Sequence, residues 1–140
     1  MHASVRWLEN VAFEAESASG HQILMDGSTE YGGENRGARP MELILMGLGG
    51  CASFDMVTIL KKARQDIVDV RCELSAQRAD SIPAVFTKSH LHFGVTGRKV
   101  KPSQVEKAMH LSAEKYCSAS KMLSDGGVDI THDFKVIEVE

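Results

Sequence analysis

From Leu43 to Phe54 the chain carries no charge, and Cys51 sits inside that run. The run belongs to a longer stretch, Pro40 to Gln65, with Glu42 at its start and Lys61, Lys62 and Arg64 near its end. A surface helix keeps a polar stripe, whereas a helix that is apolar on every face is buried. Pro40 suits a first helical turn, where its missing N–H is not needed. Glu42 and the terminal cations match the two ends of the helix dipole. Gly47, Gly49 and Gly50 each cost about 1 kcal/mol of helix propensity against Ala. A helix that carries them is expected to lie against another backbone. The stretch therefore predicts a central helix with a thiol in its middle, packed on all sides.

A chain of 140 residues supports one domain with a real core, residues 1–140. A net charge of -3 gives no reason to expect nucleic acid or an anionic membrane as partner. The uncharged run is shorter than the roughly 20 apolar residues of a membrane span. The start, Met1-His2-Ala3-Ser4-Val5-Arg6-Trp7, has no apolar signal region, so a cytoplasmic location is expected. Three cysteines, Cys51, Cys72 and Cys117, are too few for a secreted disulfide scaffold. Any disulfide among them is expected to be transient and chemical.

Val5, Trp7, Val11, Phe13 and Ala15 keep a period of two and read as strands. Ser19-Gly20 marks a turn, with a return strand from His21 to Met25. Asp26 to Arg39 holds four glycines and no periodicity, and reads as a mobile loop. Val68, Val70, Cys72, Leu74 and Ala76 alternate with polar residues in a clear strand. Phe86 to Gly97 follows as another, with Leu91, Phe93 and Val95 on one face and His90 and His92 on the other. Those two histidines form half a metal site at most. No third ligand is placed, and solvated surface histidines are the ordinary reading. Pro102 opens a second helix whose apolar stripe runs Val105, Ala108, Met109, Ser112, Ala113 and Tyr116. It delivers the chain to Cys117. Ser118 to Leu123 forms a short helix closed by Gly126-Gly127, and Val128 to Val139 is a last strand. This order is an α+β domain with mostly antiparallel strands.

Cys72 lies on the apolar face of its strand and reads as a small core residue. Cys51 and Cys117 are far apart in sequence, and both have small neighbours: Gly49, Gly50, Ala52 and Ser53 around one, Ser118, Ala119 and Ser120 around the other. Small residues let two helices approach until two sulfurs meet. Cys117 also falls near a helix start, where the dipole favours a thiolate. Spacing alone leaves a working cysteine pair and two unrelated buried thiols both open.

Pro40-Met41-Glu42 ahead of Cys51, together with Ala113-Glu114-Lys115-Tyr116-Cys117-Ser118-Ala119-Ser120-Lys121-Met122-Leu123, resembles the OsmC/Ohr family of osmotically inducible and organic hydroperoxide resistance proteins. The order of elements agrees over essentially the whole chain. Ser17-Ala18-Ser19-Gly20-His21 and Gly49-Gly50-Cys51 are most similar to its YhfA-like branch. The resemblance implies an OsmC-like fold, with central helices wrapped by antiparallel sheets in an intertwined homodimer. It also implies a thiol-dependent peroxidase acting on organic or hydrogen peroxide in oxidative stress defence. In that chemistry Cys51 is the attacking thiolate and Cys117 the resolving thiol, an external dithiol restores both, and no metal or organic cofactor is needed.

Two positions depart from the family's peroxidase pattern. Met41 stands where those enzymes carry a Glu that orients an activating Arg, and Glu42 is about 100° further round the helix. No Arg matches the activating one; Arg36 and Arg39 are nearest in sequence. Ser118 stands where Pro is common. These departures keep a second function open, a dimeric binding protein for a small apolar or thiol-reactive ligand.

Overall fold

Alternating apolar and polar residues build both sheets, and a long helix links them. The computed structural model describes residues 1–140 and divides into two units, Met1–Ile44 and Leu45–Glu140. In the first unit, β1 (Ala3–Glu9), β2 (Ala12–Ser17) and β3 (Gln22–Met25) form an antiparallel sheet in that order. Trp7 pairs with Phe13, and Phe13 with Met25. The turn at Gly20 needs a φ of +89°, which only glycine adopts freely.

The segment from Asp26 to Arg39 departs from the expectation of a mobile loop. The Asp26 side chain is buried, and its carboxylate accepts the backbone N–H groups of Gly27, Glu34 and Arg36 at 2.7, 3.1 and 3.1 Å. Arg36 Nε adds a further bond at 3.4 Å. A short 3₁₀ turn spans Thr29–Tyr31. The glycines serve close approach rather than freedom. A Cβ on Gly33 would lie 2.0 Å from the Gly27 carbonyl oxygen, and one on Gly37 2.1 Å from that of Leu24. The loop lacks periodicity because one side chain, not a ladder, satisfies its backbone.

Helix α1 (Pro40–Lys62) begins in the first unit and continues through the second. Glu42 Oε1 accepts the Arg39 backbone N–H at 2.8 Å, the returning half of a capping box. At the other end Gln65 N–H bonds the Leu60 carbonyl at 3.0 Å and Arg64 N–H that of Lys61 at 2.9 Å. This is a Schellman closure, with Arg64 at φ +57° in the place glycine usually takes.

In the second unit β4 (Asp66–Arg78) runs antiparallel to β5 (Phe86–Arg98), and β6 (Asp129–Glu138) runs parallel to β5. The parallel pairing follows from the connection, since α2 (Pro102–Leu111) and α3 (Ser118–Asp125) lie between the two strands. Leu48, Ala52, Met56 and Leu60 form one buried stripe of α1 and cluster with Leu91, Phe93, Val95, Val105 and Ala108. Within one chain the helix is not packed on all sides. Met46 and Phe54 are 53% and 72% exposed, and Gly47 and Gly50 face open space. Gly49 alone of the three lies close to a neighbour, and that neighbour is a side chain: a Cβ there would stand 2.6 Å from Leu74 Cδ1. At 23 residues α1 is long and apolar enough to cross a bilayer. Its buried stripe, however, belongs to the core of this unit, which is the reading its contacts support.

Acid stability follows from Asp26. Burial alone would raise its pKa, but the three backbone N–H groups and Arg36 outweigh burial and hold it below the ordinary 3.8. The unfolded chain therefore binds more protons in this range. The stability Asp26 supplies is complete above about pH 4 and lost as pH falls through the folded value. Urea denaturation followed against pH is expected to show that loss for the native protein. Asp26→Asn is expected to be less stable at neutral pH and to have a shallower acid dependence.

Candidate active site

A change of helical pitch decides where the second thiol sits. After α2 the backbone takes one π turn, Ser112–Tyr116, in which the Cys117 N–H bonds the Ser112 carbonyl at 2.8 Å. The extra residue shifts every later position around the axis. Tyr116, on the apolar stripe by spacing, is therefore half exposed, while Cys117 is 3% exposed. Cys117 then adopts extended φ/ψ and becomes the N-cap of α3, with its Sγ accepting the Ser120 N–H at 3.4 Å.

Cys51 is half-buried on α1, between the buried stripe and the open face, and packs against the same core as Cys117. The two thiols are neighbours in this core, near enough for Cys51 to raise the pKa of Cys117. Burial pushes the Cys117 thiol above its ordinary value, and the neighbouring Cys51 adds to the rise. The Ser120 hydroxyl and N–H draw it back only in part. Cys72 reaches the same core from a strand. It packs into the core from β4, and burial takes its pKa up to about 11 against the pull of Ser53. That thiol stays protonated at neutral pH and behaves as a core residue.

One hydrogen bond ties the two cysteine segments together. Asp55, one turn beyond Cys51 on α1, accepts the buried Ser112 hydroxyl at 2.9 Å. Ser112 in turn accepts the Cys117 N–H. Phe54, Asp55, Ile59, Lys62, Leu111 and Tyr116 line a largely apolar cleft of about 380 Å³, in which neither cysteine is a lining residue. A smaller cleft, about 220 Å³, reaches Cys117 between Tyr116, Ser118 and Lys121. The arrangement offers two adjacent sulfurs, a polar lock that holds them in register, and an apolar space for an organic group.

Known proteins share this architecture. Residues 32–133 match the family model described as OsmC-like protein. The chain belongs to the OsmC-like protein family. It is 48% identical to Protein YhfA of Escherichia coli K12 over 137 residues, 98% of each chain. Among solved structures, a hypothetical protein from Aquifex aeolicus is 28% identical with a TM-score of 0.80 over 96% of both chains. The organic hydroperoxide resistance protein OhrB of Bacillus subtilis is 18% identical, with a TM-score of 0.62 over 96% of both chains, and shows the common fold.

Arg36 bonds Asp26, Glu9 and Glu34 within the first unit. Arg39 bonds Asn35, the Gly37 carbonyl and Glu42 there. Glu42 caps its own helix. The cations beside Cys117 are lysines: Lys121, paired with Asp125 at 3.0 Å, and Lys115, over the Tyr116 ring.

His90 and His92 both hydrogen-bond one oxygen of Asp133, at 2.8 and 2.7 Å, and His90 also reaches Thr131. The rings satisfy each other's carboxylate on an exposed sheet face, and no cluster of three metal-binding side chains forms.

Asp55, Ser112 and Ser120 make hydrogen bonds in the two cysteine segments that sequence reasoning passed over. Asp55 had a signal, as the first charge after the apolar run. Ser112 had one too, as a polar residue on an apolar stripe. Asp55→Ala leaves a buried hydroxyl without its acceptor, and a cost of about 1–3 kcal/mol is expected in urea denaturation. Ser112→Ala is expected to add little in the Asp55→Ala background, because both changes remove the same bond.

Proposed function

We propose that this protein is a thiol-dependent peroxidase that reduces organic or hydrogen peroxides through Cys51 and Cys117. The observation that supports the reading is that Cys51 on α1 and Cys117 after the π turn pack into the same core. Cys51 attacks the terminal peroxide oxygen; the O–O bond breaks, an alcohol leaves, and Cys51 becomes a sulfenic acid. Cys117 displaces the sulfenic oxygen as water and forms a disulfide. An external dithiol in the cytoplasm reduces that bond and is itself oxidised. The apolar cleft beside Phe54 and Tyr116 suits an organic substituent better than hydrogen peroxide alone. Several structural neighbours are called organic hydroperoxide resistance proteins, including one from Legionella pneumophila, 19% identical over 99% of this chain with a TM-score of 0.70. Family membership supports the reading without fixing the substrate.

The working form is a homodimer. Met46, Gly47, Gly50 and Phe54 share one face of α1, apolar and without large polar groups, and uncovered within the chain. A second copy is the natural cover for such a face. Sedimentation equilibrium is expected to give twice the chain mass, and Phe54→Glu is expected to lower it.

The enzymatic reading is tested with cumene hydroperoxide and dithiothreitol. Reduced protein is expected to consume peroxide through many turnovers, and Cys51→Ser to fall to the uncatalysed rate. With dithiothreitol removed after reduction, Cys117→Ser is expected to consume one equivalent and hold a dimedone-reactive sulfenic acid. Native protein that does no better than Cys51→Ser would sink the peroxidase. The same apolar cleft would then favour a binding protein, seen as a small ligand retained in native mass spectrometry.

A further inference from the structure

Ser120 is 3% exposed, and its hydroxyl makes no hydrogen bond while Cys117 is a thiol. A buried hydroxyl without a partner costs stability, so its presence beside a reacting sulfur calls for a use. The hydroxyl sits next to Cys117 Sγ, which already accepts the Ser120 backbone N–H at 3.4 Å. The sulfur also stands at the N-cap of α3, where the helix dipole favours negative charge. One donor of Ser120, its N–H, is thus already engaged by the sulfur, and the other, its buried hydroxyl, is left without a partner. A thiol accepts weakly; a thiolate accepts strongly.

We infer that Ser120 is the donor pair that makes the Cys117 thiolate attainable in its buried site, and so sets the rate of the disulfide-forming step. The inference rests on the peroxidase reading for the step it serves. Cys117 first loses its proton, and the Ser120 hydroxyl turns to donate to the anionic sulfur beside the backbone N–H. The thiolate electron pair then attacks the sulfenic sulfur of Cys51. The S–S bond forms, the S–O bond breaks, and hydroxide leaves to take a proton and become water. Cys117 is oxidised and the Cys51 sulfenic sulfur is reduced. In the reverse direction, the same two donors hold Cys117 as the leaving thiolate when an external dithiol attacks the Cys51 sulfur.

The test uses the full chain with Cys51→Ser and Cys72→Ser, so that Cys117 is the only thiol. Its ionisation is read from thiolate ultraviolet absorbance against pH, with and without Ser120→Ala. Ser120→Ala is expected to move the midpoint upward, leaving roughly tenfold less thiolate at a fixed pH. It is also expected to leave the thiol form as stable as before or more so, because an unpartnered buried hydroxyl has been removed. An unchanged midpoint overturns the inference. So does a Ser120→Ala chain that is less stable or unfolded in the thiol form, since that is the mark of a structural role. No peroxide enters this titration. A raised midpoint alongside inert native thiols would sink the peroxidase reading and leave the assignment of Ser120 standing.

Discussion

The second unit depends on one stripe of α1. Leu48, Ala52, Met56 and Leu60 are spaced four apart and fully buried, and they join the apolar side chains of β5 and α2. That burial fixes the rotation of the helix about its own axis. Once the rotation is set, Cys51 must fall at the border of the stripe, and Asp55 one turn further along the same border. Moving the stripe by one residue would turn the thiol by about 100° and end its adjacency to Cys117. The hydrophobic contacts supply the energy, and the Asp55–Ser112 bond supplies the register.

The three thiols show how surroundings divide one residue type into different chemistries. Cys72 has burial and little else, and its pKa of about 11 keeps it inert. Cys117 is more deeply buried, but it caps a helix and its sulfur accepts the Ser120 N–H. Cys51 has a half-open position and a second sulfur beside it. Membership of the OsmC-like family places these residues in a frame shared with organic hydroperoxide resistance proteins. The polar contacts in the two cysteine segments are the Ser120 N–H on the Cys117 sulfur and the Asp55–Ser112 bond.

Much of the fold was legible because period is a local property. The alternation in β4 and β5 and the spacing in α2 read directly to within a residue or two of the observed ends. The loop after β3 was misread because glycine signals both freedom and tight approach. Gly33 and Gly37 serve the second use, around a buried carboxylate that no periodicity reveals. Tyr116 was misplaced because a π turn inserts one residue without any mark in composition. The all-round apolarity of α1 was legible, but the uncovered face shows that one chain buries only part of it.

By itself the sequence determined the strands, the three helices, the uncharged helix around Cys51 and the family, because these depend on neighbours a few residues away. Only the tertiary structure decided that Cys51 and Cys117 share one core, that Asp55 accepts the Ser112 hydroxyl, and that the Ser120 N–H bonds the Cys117 sulfur. Those relations span much of the chain. They exist only after the apolar stripe of α1 has chosen its rotation and the π turn has chosen which residue faces inward.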